Sequence, residues 1–395
     1  MPSVIFIKRF FYPDHSATSQ ILLDVTFHLA DVGYDVKIVT SRLRYDDPDE
    51  VLQTNETVNG VEVYRVWTTR FGRKNLAGRA IDYLSFHISA MIALISIVMI
   101  DDYVVAKTDP PMISIVAKIV CLLKSAKLIN WNQELFPEIR ILEYANKPLL
   151  YLRNNSLKNA HSNVVIGESM RDKLISIGVK DSRIRVIPNW SDGEKIYPVN
   201  RVENPLIKEW GLENKFVVGY SGNMGRAHEF NTILDIASHF RTDKNVMFLF
   251  IGAGAKKEWL EKQVKSMSLT NFAFKPYQPR RFLALSLSVP DVHLISLLPN
   301  LEGLIVPSKY YGVAAAGKPC LFIGDKQGEI ARIVHKYNCG EAIEIGDVDT
   351  GIKYLNDMMA LNDEYKKQCL NARKTFDDNF DSKIAFEKWT EMLQE

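Results

Sequence analysis

Strand and helix signals alternate along the chain, and the alternation runs twice, once on each side of a segment broken by Pro188, Gly193 and Pro198. The chain is also 395 residues long, more than one ordinary hydrophobic core accommodates. Together these observations predict an α/β protein of two Rossmann-like domains facing across a cleft.

The elements follow in order. VIFIKRF (4–10) reads as an apolar strand, and YPDHSATSQ (12–20) as the polar loop after it. ILLDVTFHLADVG (21–33) carries apolar residues at helical spacing and stops at Gly33, a residue free to take the left-handed conformation of a helix end. DVKIVTS (35–41), VEVYRV (61–66), YVVAKT (103–108), AKLINWN (126–132) and SNVVIG (162–167) continue the strands, with helical stretches between. Strands alternating with helices imply a parallel sheet covered on both faces. RIRVIPNWSDGEKIYP (183–198) is expected to be the hinge, dividing domains at 1–190 and 198–379. KFVVGYSG (215–222) opens the second series. NVMFLFIGAG (245–254), NFAFKP, DVHLISLL and KPCLFIG (318–324) supply its further strands, and KKEWLEKQVKSM an amphipathic helix.

Apolar content of 47% and charged content of 24% exclude disordered and fibrous classes. A net charge of +2, with no basic runs interleaved with aromatics, predicts no nucleic-acid partner. Cys121, Cys320, Cys339 and Cys369 lie far apart, mostly in apolar segments, and read as buried thiols in a reducing compartment. MPSVIFIKRFFYPD does not have the form of a cleavable signal, so a cytoplasmic location is expected. LSFHISAMIALISIVMI (84–100) is nearly all apolar but includes Ser85, His87, Ser89 and Ser96, and is shorter than the ~20 residues of a membrane span. Arg65, Arg70, Arg73, Lys74 and Arg79 precede it, with no acidic residue between Glu62 and Asp82. Two readings stay open: a core helix beside a solvated basic loop, or peripheral docking on the anionic inner face of the cytoplasmic membrane.

In open parallel sheets ligands lie beyond the carboxyl ends of the strands, so the loops there hold the candidate site residues. In GNMGRAHE (222–229), Gly222 and Gly225 stand at a strand-to-helix turn beside Asn223, Arg226 and His228. Glycines let backbone approach a phosphate, and a helix start offers free N–H groups. In EGLIVPSKYYGVAAAGKP (302–319), Glu302, Gly303, Leu304, Ser308 and Lys309 precede a run of small residues, Ala314 to Ala316. A carboxylate, a lysine and a helix N-terminus converging suit a sugar carrying a diphosphate; the plainer alternative is a surface loop entering an Ala-rich helix. Asp14, His15, Ser16, Thr18, Asp109, Glu134 and Glu138 occupy strand-end loops of the first domain and are the acceptor-side candidates. Asp347 and Asp349 match an Asp-x-Asp pattern but sit in a late turn, so no metal site is predicted.

The order FYPD, NQELFPE (132–138), PNWSD (188–192), GNMGRAHE, FKPYQPRRFLAL (274–285), EGLIVPSK and GKP resembles glycosyltransferase family 4. The chain is most similar to the branch that adds amino-deoxy sugars, such as N-acetylfucosamine, during O-antigen or capsule assembly. The resemblance implies the GT-B fold, with the donor nucleotide on the second domain and the last helix, FEKWTEML (386–393) within 380–395, returning to the first. It also implies retaining transfer from a nucleotide-sugar, here UDP-linked, to a polyprenyl-diphosphate-linked saccharide at the membrane, with no cofactor or metal. Glu302 matches a glutamate expected to contact the donor sugar, and Tyr277 and Gln278 join the donor set. Arg226 and Lys309 are expected to neutralise the diphosphate, since Asn223 and His228 stand where the family has Arg and Lys. The family's second glutamate would fall at Tyr310 or Gly312, and is missing. A sugar-nucleotide 2-epimerase and a catalytically silent sugar-nucleotide-binding scaffold are the alternatives.

Overall fold

The structure, a computed structural model, describes residues 2–395 except 15–16, 45–46, 48–49, 73–75, 137 and 139–146. It divides into two compact units, Met1–Pro188 with Phe386–Glu395, and Asn189–Ala385.

The first unit opens with β1 (Val4–Ile7), α1 (Ala17–Asp31), β2 (Val36–Ser41), β3 (Asn55–Val58), β4 (Val61–Val66) and α2 (Leu76–Ile97). Next come β5 (Tyr103–Lys107), α3 (Ile113–Lys124), β6 (Lys127–Asn132), α4 (Lys147–Asn159), β7 (Ser162–Val165), α5 (Glu168–Ser176) and β8 (Ile184–Val186). The sheet order is β3-β4-β2-β1-β5-β6-β7-β8, parallel except for the antiparallel β3–β4 edge. Strands build outward from β1 in one direction and from β5 in the other, so the topological switch point lies between them. On β4, Val61, Val63 and Arg65 are buried on one face, while Tyr64 and Val66 on the other pack half-buried against the core that includes Phe86, Ala90 and Leu94. Helix α2 buries Phe86, Ala90 and Leu94, four residues apart, and the chain just past its end buries Val98, all against Ile5, Ile7 and Val104. Two sequence expectations are corrected here. The first strand ends at Ile7 rather than Phe10, because Lys8 and Arg9 turn into the loop. The expected hinge begins with β8, a ladder partner of β7.

The second unit begins with α6 (Pro205–Glu209), β9 (Phe216–Ser221), α7 (Asn231–His239), β10 (Val246–Ile251), α8 (Lys257–Ser266) and β11 (Phe272–Lys275). It continues through α9 (Leu283–Ser288), β12 (Val292–Ser296), α10 (Lys309–Ala315), β13 (Cys320–Ile323), α11 (Glu329–Tyr337) and β14 (Gly340–Ile343). Helices α12 (Val348–Met359), α13 (Asp363–Asn379) and α14 (Ser382–Gln394) close the chain. The order β11-β10-β9-β12-β13-β14 is parallel throughout, and its switch point lies between β9 and β12. Phe248, Phe250, Phe230 and Ile233 fill one side of this sheet. From Phe386 onward α14 belongs to the first unit, where Trp389 packs on Trp131, ring centres 4.6 Å apart.

Candidate functional site

Of the donor-side residues, the β9/β12 switch point brings Asn223, His228 and Lys309 together through Tyr220. The loop after β9 is held down by backbone: the Gly222 amide donates to Ile251 O at 2.9 Å, and the Met224 amide to Ala253 O at 2.8 Å. This approach requires glycine in the facing loop. A Cβ on Gly252, at φ +136°, would sit 2.2 Å from Gly222 O. One on Gly254, at φ +150°, would sit 2.5 Å from Met224 O. The end of the loop is fixed by Glu229, whose buried carboxylate accepts from the Asn231 and Thr232 amides and so caps α7.

Lys309, half-buried at the start of α10, lies over the Tyr220 ring, its ammonium 3.8 Å from the centroid. It donates to the Tyr220 hydroxyl and, at 3.4 Å, to His228 Nε2. His228 Nδ1 lies 2.6 Å from Ser296 O. A carbonyl only accepts, so Nδ1 carries the proton and Nε2 presents its lone pair to Lys309. Tyr220 donates onward to Asn223 O at 2.8 Å. Burial pushes His228 down to about 3, with the nearby Lys309 and Lys256 charges adding to it, and burial likewise holds Lys309 well below the ordinary lysine value. Among the described residues no carboxylate pairs with Lys309. A desolvated ammonium without a counter-charge is costly, and an anionic ligand would relieve it.

The remaining donor-side residues are spread more widely. Gly222 lies against Lys309, with room for no more than a contact at 3.6 Å between a Cβ and Lys309 Cε. Gly225 packs on the Asn223 amide, and Tyr277 reaches over Gly252. Arg226 is exposed on the same loop, and Ser308 is exposed ahead of α10. Gln278 donates to Pro276 O at 3.0 Å. Gly303 takes φ +71° in the turn after Glu302, and Leu304 is buried below it. Glu302 is bonded to the start of α11: its Oε1 accepts the Glu329 amide at 2.8 Å. The N-cap residue there is Gly328, which has no side chain, so Glu302 supplies the capping carboxylate from a distant loop. Burial pushes its carboxyl up, the Glu329 and Gly303 amides draw it back, and the Glu329 charge pushes up as well. Of the two places for the second glutamate, the first is core and the second is half-buried. Tyr310 is buried with its hydroxyl on Cys339 Sγ at 3.4 Å, and a Cβ on Gly312 would meet Leu287 Cδ1 at 3.2 Å.

At the β1/β5 switch point of the first unit, Asp14 is buried, and Asp109 is held at φ +99°, an uncommon conformation for a side chain other than glycine. Both lie near Lys8, which is fully buried and donates to Ser19 Oγ at 3.2 Å. Burial pushes Lys8 down to about 8, against the pull of Asp109 and Asp14. Lys107, also fully buried, sits 3.4 Å from the centre of the Trp131 ring, and its ammonium has no hydrogen-bond partner among the described residues. Glu134 lines a separate cavity of about 30 Å³ with Asn130, Asn132 and Arg153, room for one water. Glu138 pairs with Arg153 at 2.6 Å. His15 and Ser16 lie outside the described residues, as does the side chain of Thr18. Asp347 caps α12 through the Thr350 amide. Among the described residues no group of three or more His, Cys, Asp or Glu could hold a metal ion.

Several residues went unremarked in the sequence. Tyr220 and Ser296 read as strand interior, and Lys8 and Lys107 as ordinary strand-end lysines. Gly252 and Gly254 were legible, since I-G-A-G after a strand is the same turn signal that marked Gly222.

No model of a known protein family matches the chain. WbjE of Pseudomonas aeruginosa, named as a glycosyltransferase, is 31% identical over 254 residues, 60% of this chain and 61% of WbjE. WcaI of Escherichia coli K12, named for a colanic acid biosynthesis glycosyl transferase, is 26% identical over 185 residues, 46% of this chain and 45% of WcaI. The matched regions therefore span less than two thirds of either relative. Among solved structures, Anabaena HepE, crystallised with UDP and glucose, superposes with a TM-score of 0.75 at 13% identity, covering 100% of both chains. The chain has the GT-B fold, two Rossmann-like units of the kind found in glycosyltransferases.

Proposed function

We propose that the protein is a retaining glycosyltransferase of surface-polysaccharide synthesis. It would move a sugar, an N-acetylated deoxyhexose, from a UDP-linked donor to a lipid-linked saccharide at the inner face of the cytoplasmic membrane, without a metal. The observation that carries the reading is Lys309. It is a desolvated ammonium with no acidic partner among the described residues, at the switch point of the second sheet, below a glycine turn where a diphosphate can approach. The similarity to WbjE and WcaI, and the UDP held by HepE, support it.

In the step itself the bond from the anomeric carbon to the β-phosphate oxygen breaks. A bond to the acceptor hydroxyl oxygen forms on the same face, and the hydroxyl proton passes to the departing diphosphate. Charge builds on that diphosphate, and a fixed cation beside it stabilises the transition state more than the ground state. Lys309 takes that part, with exposed Arg226 able to close over the outer oxygens. His228, locked as the Nδ1–H tautomer, cannot supply charge near neutral pH; it orients Lys309. Glu302, at the head of α11, is left to meet the sugar hydroxyls.

The test is thermal stabilisation by UDP, GDP, dTDP, CMP and ADP, with a chelator present throughout. Ligand at a hundredfold excess over its dissociation constant adds about 2.7 kcal/mol to folding stability. A shift with UDP alone is expected. No shift with any nucleotide would remove the donor site and with it the transferase reading; a shift with UDP but no transfer would leave the silent sugar-nucleotide-binding scaffold. Product formed without an acceptor would identify an epimerase.

A further inference from the structure

Helix α2 has two apolar faces. One is the core stripe Phe86, Ala90 and Leu94. The other, Ile81, Leu84, Ile88, Ile92 and Ile95, is spaced by threes and fours and exposed by 38–63%, an unpartnered stripe at helical periodicity. The same helix, from Ala77 to Ile97, is long and apolar enough to cross a membrane, and little of it is buried. Its core face is committed to the first sheet, so it can lie on a membrane but cannot span one without dismantling that core. Neighbouring α3 also exposes Leu122 and Leu123, by 73% and 68%, and α4, packed on α3, exposes Tyr151 by 70%. An apolar groove of about 500 Å³ between α2 and the start of α3 shares Leu84 with the stripe and Leu149 with α4. Exposed apolar surface of this extent marks an interaction site.

Charge chooses the partner. Arg79, Lys118, Lys124 and Lys147 are carried by the three helices and Arg70 by the segment before them, while the only acidic residue within the helices is Asp82. Asp82 is buried and fully engaged, accepting from Thr69, Phe71 and Gly72 and lying 3.4 Å from Arg9. Beyond the end of α2, Asp102 is buried on the Ser3 and Met99 amides, while its neighbour Asp101 is exposed. Arg73 and Lys74, which the sequence also assigned to this basic stretch, lie outside the described residues.

We propose that the α2–α3–α4 face docks on an anionic phospholipid bilayer, its isoleucine stripe entering the acyl boundary and its basic residues meeting the headgroups. The groove beside Leu84 is deep enough to take one hydrocarbon chain. The proposal deepens the reading of a membrane-presented acceptor and rests on it only for its purpose, because docking is measured without donor or acceptor and so fails separately from transfer.

The experiment is co-sedimentation of the purified protein with phosphatidylglycerol–phosphatidylcholine vesicles and with pure phosphatidylcholine vesicles, at low and high salt. Binding to the mixed vesicles that weakens with salt is expected. Lys124→Gln with Lys147→Gln should lower that affinity about 25-fold, near fivefold for each charge, and Ile88→Asp with Ile92→Asp should reduce sedimentation to background. Unchanged melting temperatures and UDP shifts in both variants would show that the fold is intact. The proposal is overturned if the wild type stays in the supernatant with both vesicles, or if the isoleucine variant sediments like wild type. It is also overturned if light scattering finds a dimer that Ile88→Asp with Ile92→Asp dissociates while vesicles are ignored, for then a second copy covers the face.

Discussion

The two sheets repeat one another up to their switch points and then part. Each places a lysine drawn out of water where its strand order reverses: fully buried Lys8 and Lys107 at β1/β5, half-buried Lys309 near β9/β12. In the first unit the cations have acids in reach, since Asp14 and Asp109 both hold Lys8 up against its burial. In the second, Lys309 faces a histidine, a tyrosine and a glycine, and among the described residues no acid. The same fold thus carries a charge-compensated crevice and an uncompensated one. Among the described residues only the second lacks an acid beside its cation, and the proposed diphosphate site rests on that difference. The first has donors and acceptors together, a composition suited to hydroxyl-rich acceptors.

The comparison breaks most directly at the lysines. Lys309→Met should cost transfer about 2.7–4 kcal/mol in barrier, a hundredfold or more in kcat/KM, and should abolish the UDP shift. Lys8→Met should leave UDP binding alone. Equal loss of UDP affinity in both variants would end the distinction.

Acid and alkali sharpen it. His228 and His293 are pushed down by burial to about 3 and about 4, below the ordinary 6.5. The unfolded chain therefore takes up protons that the folded one refuses, and stability falls as pH drops below 6.5, by up to about 1.4 kcal/mol per pH unit for each histidine. Lys8, folded near 8 against 10.5, acts in the other window: stability rises as pH climbs from about 8 towards 10.5. Denaturant titrations across pH should show His228→Asn flattening the acid limb and Lys8→Met the alkaline one.

Lys107→Met should raise folding stability by about 1–3 kcal/mol, because it removes a buried donor without a partner. If stability instead falls, Lys107 is compensated by its position over Trp131. Glu302→Gln is the mildest change for the fold, about 0.5–1 kcal/mol through the lost charge at the head of α11. A far larger loss of transfer than of stability in that variant would separate its contact with sugar from its role as a cap.

How much of this was legible follows from what each residue signals locally. Period and composition are local, so the alternation of strands and helices could be read along both units, and turn glycines such as Gly222 announced their loop. The antiparallel β3 could not, because NETV is a polar edge stretch with no apolar period. Lys309 and His228 were singled out, yet their contact is made across more than eighty residues of chain. Tyr220, which links them, looks like any strand aromatic. Glu302 was marked for chemistry, while its bond to α11 depends on Gly328, whose missing side chain makes a distant cap necessary. The burial of Lys8 and Lys107 is a property of the packed sheet, and nothing in IKRF or VAKT reveals it.

Trp389 and Trp131 stand 4.6 Å apart with rings inclined at 61°, and the Lys107 ammonium rests on the second. Two indoles this close share their excitation, so the pair should give a split circular-dichroism band that neither gives alone. The end of the chain thereby reports optically on its own seating. The band should vanish in Trp389→Phe and whenever the final helix lifts from the first sheet, and an uncharged Lys107 should shift its position.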